Sequence, residues 1–184
     1  MVGPPFNCAE SSGAGRQNLY WPGIDFEDPT VIRVGLISDT HGLLRPEAMA
    51  FLRGCDHIVH AGDIGGAELL ASLGTLAPVT AVRGNNDADG WGRTLPHQVV
   101  VAPGGLEILA IHDLKELDRT RLAPSVRVVV SGHSHRPDTT WRDGVLFINP
   151  GSAGPRRFKL PITVAELLLE GGEVRPRTVV LAPA

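Results

Sequence analysis

From residue 31 onward, short apolar runs alternate with polar, glycine-bearing segments, and this alternation sets out the elements. Residues 31–37 (Val-Ile-Arg-Val-Gly-Leu-Ile) are β-rich and end in Ser38-Asp39-Thr40-His41-Gly42, which predicts a strand delivering polar groups at its C-terminal end. Residues 46–53 have helical spacing, with Pro46 where a helix begins. The pattern then recurs. A strand over 57–61 precedes Gly62-Asp63, a helix covers 67–73, and a strand over 79–82 runs into Arg83-Gly84-Asn85-Asn86-Asp87. Repeated strand, loop and helix predict a parallel sheet with crossover helices.

The second half is richer in strands. Residues 99–102 and 106–111 read as strands joined by a hairpin at Pro103-Gly104-Gly105. Residues 115–122 carry helical spacing, and 126–130 read as a buried strand ending in Ser131-Gly132-His133-Ser134-His135. Short strands follow at 139–142, 145–148, 162–169 and 175–181, with no internal repeat and no heptad. Residues 1–29, with their Gly-Pro-Pro and Ser-Ser-Gly-Ala-Gly runs, predict a flexible extension in which Leu19-Tyr20-Trp21 is the segment able to dock on the body. Residues 30–184 form the expected domain.

Composition narrows the class. Hydrophobic residues are 42% and charged residues 20% of the 184, enough to bury the core of one domain. The chain is too short for a full TIM barrel, which needs at least about 200 residues. Net charge is −3 although Arg outnumbers Lys fifteen to two, which argues against a dedicated nucleic-acid or anionic-membrane binder. Two cysteines, Cys8 and Cys55, cannot build a disulfide framework and point to a reducing compartment. The first thirty residues lack a basic stretch followed by an apolar one, and no apolar run approaches the roughly 18 residues of a membrane helix. The expectation is a cytoplasmic protein with no membrane attachment.

The chemistry gathers where strands end. Asp39 and His41, Asp63, Asn85, His112, and His133 with His135 each follow an apolar strand, and an α/β sheet opens its binding crevice at that edge. Three oxygen donors with four imidazoles suit Mn, Fe, Zn or Ni better than Ca or Mg. Seven ligands exceed one tetrahedral ion and suit two metals sharing a carboxylate. Taken singly, an Asp-x-His or His-x-His fragment means little, and Asp and Asn are common in turns after strands. Their joint order carries the argument. His57, His60 and His97 fall outside it, with His60 read as structural or as a support behind Gly62-Asp63. Arg156, Arg157 and Lys159 read as a solvated rim.

The order Asp-x-His, Gly-Asp, Gly-Asn-x-Asp, His, Gly-His-x-His resembles the calcineurin-like metallophosphoesterase superfamily. Within it, the closest likeness is to the small bacterial and archaeal phosphodiesterase group related to the Vps29 retromer subunit. Asn149-Pro150-Gly151-Ser152 followed by Pro155-Arg156 adds to this likeness, which spans residues 31 to 181. The resemblance implies a four-layer α/β/β/α sandwich of two mixed sheets flanked by helices, carrying a dinuclear centre. It implies that Asp39, His41 and His135 hold a first ion and Asn85, His112 and His133 a second, with Asp63 bridging both. The implied cofactor is two divalent transition-metal ions, manganese first, with iron, zinc and nickel as alternatives. Such a pair holds phosphoryl oxygens and acidifies a bridging water, whose hydroxide attacks phosphorus in line. The implied activity is a metal-dependent phosphodiesterase acting on small or activated phosphodiesters, with Asp63, Asn85 and Asn86 as its catalytic positions.

Two positions depart from the superfamily pattern. Many members carry His where Asn86 stands, and Asp113 occupies a place usually taken by Gly. The competing expectation is a catalytically weak, Vps29-like protein-binding scaffold, which has no need of all seven ligands. A nuclease would need a basic groove that the chain does not show. Natural substrate and oligomeric state stay open, a homo-oligomer included.

Overall fold

The computed structural model describes residues 31–182; the extension over 1–29, with its segment 19–21, lies outside the described residues. Two five-stranded mixed sheets pack face to face. In the first, the order is β10 (Glu173–Ala182), β9 (Ile162–Glu170), β1 (Ile32–Ile37), β2 (His57–His60), β3 (Val79–Ala81). Strands β1, β2 and β3 are parallel, linked through α1 (Pro46–Leu52) and α2 (Ala67–Gly74). Strand β9 returns antiparallel to β1, with Val34 opposite Leu167. In the second sheet the order is β4 (Gln98–Val101), β5 (Glu107–Ile111), β6 (Val126–Val130), β8 (Val145–Asn149), β7 (Asp138–Arg142). Here β5, β6 and β8 are parallel, and the hairpin expected at Pro103-Gly104-Gly105 joins β4 to β5.

Alternation along the strands builds the core. Val34, Leu36, Val59 and Ala61 meet Ile108, Val128, Val130, Leu146 and Ile148 between the sheets, and full burial of each larger side chain stabilises by about 1.5–3 kcal/mol. On the outer face of the first sheet, Phe51 and Leu52 of α1 and Leu69 and Leu73 of α2 cover Ile37 and Ile58.

The outer face of the second sheet is covered differently. Residues 115–122, expected as one helix, form two 3₁₀ turns, Leu114–Glu116 and Arg119–Arg121. Asp113 accepts the Lys115 N–H at 2.9 Å and Asp118 accepts the Thr120 N–H at 3.0 Å. Each aspartate bends its own backbone two residues on, which interrupts a continuous helix. Leu114, Leu117 and Leu122 still cover Leu109, Ile111 and Phe147, so the fourth layer of the sandwich consists of turns.

Candidate metal centre

The C-terminal ends of β1, β2 and β3 meet those of β5, β6 and β8 at one end of the sandwich, and the polar loops lie there. The loops after β1 and β2 continue the pairing of their strands. Asp39 N–H donates to Gly62 O at 3.0 Å, His41 N–H to Asp63 O at 2.9 Å and Gly42 N–H to Ile64 O at 2.8 Å. A buried relay reinforces them. Gly62 N–H donates to His60 Nδ1 at 3.2 Å, which leaves the ring proton on Nε2. That proton goes to Thr40 Oγ1 at 2.9 Å, and the Thr40 hydroxyl donates to Ile64 O at 3.0 Å. Asp87, also buried, gathers the N–H groups of Ile64, Gly65 and Gly84 at 2.8–3.1 Å and so fixes the loop after β3 to the loop after β2. On the opposite sheet, Asn149 Nδ2 donates to Gly132 O at 2.6 Å, and Ser152 Oγ donates to Asp39 O at 3.0 Å. The Asn-Pro-Gly-Ser run therefore holds the loop bearing His133 and His135 against the one bearing Asp39.

All seven predicted ligands come together, in two groups. Asp39, His41 and His135 place one donor atom each within 4.8 Å of one another, as do Asp39, Asp63 and His112. His135 Nε2 lies 3.2 Å from Asp39 Oδ1 and 3.3 Å from His41 Nε2. On the other side, Asn85 Oδ1 lies 3.2 Å from His112 Nε2 and 3.0 Å from His133 Nδ1. Asp63 stands between the groups, its Oδ2 3.8 Å from His41 Nε2 and 3.5 Å from His112 Nε2. Asn86 turns toward this same carboxylate, its backbone N–H on Oδ1 at 2.8 Å and its amide on Oδ2 at 2.5 Å. Asn86 thus orients Asp63.

The backbone is strained where the donors are. Asp39, His41, Asp63, His133 and His135 all have φ between 45° and 65°, a region that costs non-glycine residues about 1–3 kcal/mol and persists where the surroundings over-determine it. Two glycines make room for the carboxylates. A Cβ at Gly84 would strike the Asp63 carboxylate, and one at Gly132 would strike Ser38 Oγ and approach Asp39 Oδ2 to 2.8 Å.

The electrostatics follow from burial and partners. Burial pushes the Asp63 carboxyl up, but the His112 hydrogen bond and the Asn86 N–H outweigh it and hold the group well below the usual carboxylate range. Burial lowers His112, and its contacts with Asp63 and with Ala61 O more than reverse that, so it is raised. His41 is lowered, chiefly by burial. His60, fully buried, is pushed down to about 4 by desolvation.

These residues fit a divalent cation. Asp39 Oδ1 is buried and accepts no hydrogen bond, although its partner oxygen takes the Ser38 hydroxyl at 2.7 Å and the His133 N–H at 3.1 Å. An uncompensated buried carboxylate oxygen is costly, and a cation among Asp39, His41 and His135 satisfies it together with the converging imidazole nitrogens. Sequence reasoning did not reach the roles of Thr40 and Asp87, although the Gly-Asn-x-Asp motif contains the latter. Arg156, Arg157 and Lys159 are exposed, as a solvated rim would be, and sequence reasoning did not reach the approach of Arg157 Nη2 to 3.5 Å from His41 Nε2. Cys55 is buried and its thiol is raised to about 12, so it supplies no thiolate.

Two mixed sheets with a donor cluster on their shared C-terminal edge define the α/β metallophosphoesterase sandwich. The chain belongs to the calcineurin-like phosphoesterase superfamily, whose domain pattern matches residues 32–172. A probable metallophosphoesterase of Methanothermobacter thermautotrophicus is 34% identical over 151 residues, which are 75% of this chain and 86% of that protein. Among solved structures, an archaeal phosphodiesterase superposes with a TM-score of 0.67 at 23% identity, covering 82% of this chain and 100% of that one. Vps29 from Entamoeba histolytica, complexed with zinc, superposes with a TM-score of 0.55 at 24% identity, covering 81% and 99%. At these identities the structural likeness is one of fold. No helix among the described residues is long and apolar enough to cross a membrane.

Proposed function

We propose that the chain is a phosphodiesterase that holds two divalent transition-metal ions and hydrolyses small or activated phosphodiesters. One observation carries the reading: seven donor side chains from five strand ends converge, with a buried carboxylate oxygen of Asp39 that accepts no hydrogen bond. Asp39, His41 and His135 would hold one ion, Asn85, His112 and His133 the other, and Asp63 both. When bound, the pair supplies positive charge for phosphoryl oxygens and acidifies water near neutral pH. The chain's own residues do the rest. Asn86 fixes the Asp63 carboxylate, His60 and Thr40 lock the two carboxylate loops together, and Asp87 sets the loop that carries Asn85 and Asn86. A cavity of about 260 Å³ beside Asn85, His112 and His133 gives room for a phosphate substituent.

The test is elemental analysis of the purified protein together with hydrolysis of bis(p-nitrophenyl) phosphate after reconstitution with Mn, Fe, Zn or Ni. Bound metal and metal-dependent turnover are expected. Metal-free protein with no turnover in any reconstitution would overturn the reading. It would favour a protein-binding scaffold, the alternative that the likeness of fold to Vps29 supports.

A further inference from the structure

The segment from Pro155 to Pro161 borders the site, and packing does not explain its shape. Its base is fastened to the loop after β1: Ala153 N–H donates to Ser38 O at 3.1 Å, and the Arg45 guanidinium donates to Gly154 O at 3.2 Å. Its tip is a tight turn in which Leu160 N–H returns to Arg157 O at 3.1 Å, with Phe158 and Lys159 at the corner. Phe158 has φ 53°, a conformation that a bulky aromatic residue avoids and that glycine would adopt without strain. Its side chain is also 93% exposed. Neither backbone preference nor burial accounts for a phenylalanine here.

Arg157, next to it, is exposed as well but makes a contact with the cluster. Its guanidinium lies beside His41, and among the described residues no carboxylate pairs with it. A guanidinium aimed at a cation-binding cluster, with no carboxylate of its own, is placed for an anion that bridges it to that cluster, and a phosphoryl group is such an anion. The ring next to it in the chain, held in solvent, offers a flat apolar face one residue from the guanidinium that would hold the phosphoryl group.

We propose that this turn is a substrate clamp: Arg157 binds a non-bridging phosphoryl oxygen, and Phe158 stacks on an aromatic or heteroaromatic substituent of the ester. The inference rests on the phosphodiesterase reading and narrows its substrates to esters bearing a flat ring. A protein partner could also cover Phe158, but it would leave the Arg157 guanidinium beside His41 unexplained.

Two non-hydrolysable probes, phenylphosphonate and methylphosphonate, separate the two residues when titrated calorimetrically into the metal-loaded full chain. The parent is expected to bind the phenyl compound about 5-fold more tightly, the scale of one aromatic contact. Phe158→Ala should abolish that preference with methylphosphonate affinity unchanged, and Phe158→Trp should keep it. Arg157→Gln should weaken both probes by about 10-fold or more, the scale of a charge-assisted hydrogen bond, with metal content and ring preference intact. No phenyl preference in the parent, or a preference that survives Phe158→Ala, overturns the clamp. Metal loss in Arg157→Gln overturns it as well, since Arg157 would then be a support of His41. Bis(p-nitrophenyl) phosphate turnover is followed in parallel. Ring preference without turnover refutes the phosphodiesterase reading alone, and turnover without ring preference refutes the clamp alone.

Discussion

The two halves of the proposed metal centre share Asp63 and differ in what surrounds it. Asp39 and His135 are buried and His41 is partly so, whereas in the other half His112 is buried but Asn85 and His133 are exposed. The buried half offers an ion two carboxylates, Asp39 and Asp63. The exposed half offers the shared carboxylate, the dipole of an amide and two imidazoles. Charge interactions strengthen as water is excluded, so the buried half should hold its ion more tightly. There an ion would also belong to the fold, since it would offset the desolvation of Asp39. The exposed half borders cavities of about 260 and 610 Å³, both lined by His133, and is the side open to exchange.

The largest break in this comparison is Asp63→Ala, which removes the side chain common to both halves. Turnover should fall by about 10³-fold or more, and elemental analysis should find both ions largely lost. Full turnover in a metal-free variant would remove Asp63 from the centre.

A second effect concerns departure of the leaving group. The Asn86 amide is committed to Asp63 and has no titratable proton, so about 10²–10⁴-fold of general-acid assistance should be missing. Rates across aryl phosphodiesters of graded leaving-group pKa should depend steeply on that pKa. The same slope is expected in Asp113→Asn, since Asp113 Oδ1 accepts the Lys115 N–H and its Oδ2 faces His133 Nε2 at 3.7 Å. A flat slope in the parent that steepens in Asp113→Asn would make Asp113 the proton donor.

The halves are compared directly by His135→Ala and His133→Ala. The buried change should lower metal affinity by about 100-fold or more and the exposed one by about 10-fold, against the 10–100-fold typical of losing a supporting partner. Competition with a chromophoric chelator measures both, and anomalous scattering should show different ions depleted. Equal losses at the same position would erase the distinction.

The smallest effect is on stability alone. His60 has a folded pKa of about 4 against 6.5 when unfolded. Its neutral form is the buried one, so its stabilisation is complete above about pH 6.5 and is lost as pH falls toward 4, about 3 kcal/mol in all. Urea midpoints of chelated protein at neutral and acid pH should show this loss, with His41 adding in the same direction. His60→Gln should flatten the His60 share while lowering the neutral-pH midpoint. An unchanged slope would mean that the Thr40–His60 relay does not require a neutral ring.

Much of this arrangement is legible in the sequence because strands and chemistry share one punctuation. Val126–Val130 stops at Gly132-His133, and Ile32–Ile37 stops at Asp39, so strand ends and donors are read together. What escapes is set by groups distant in sequence or by local competition. Leu114, Leu117 and Leu122 have the spacing of a helix, but Asp113 just before them and Asp118 between them bend the backbone. The left-handed backbone at five donors is marked only weakly by residue type, since Asp and His enter that region more readily than most non-glycine residues yet mostly lie elsewhere. Arg157 sits in a proline-bounded loop without periodicity, and its approach to His41 depends on pairing across the whole domain.

That pairing also dates the assembly of the site. Strand β1, whose end carries Asp39 and His41, lies between β2 and β9, and Asp39 is further held by Ser152. During synthesis the first donors leave the ribosome long before their antiparallel neighbour exists. Until then one side of β1 is an unpaired edge, open to pairing with other chains. The centre can therefore close only once nearly the whole domain has emerged, which would make loading with metal an event for the finished chain. A polypeptide released before β9 would carry all seven donors and still lack the strand that sets the first of them in place.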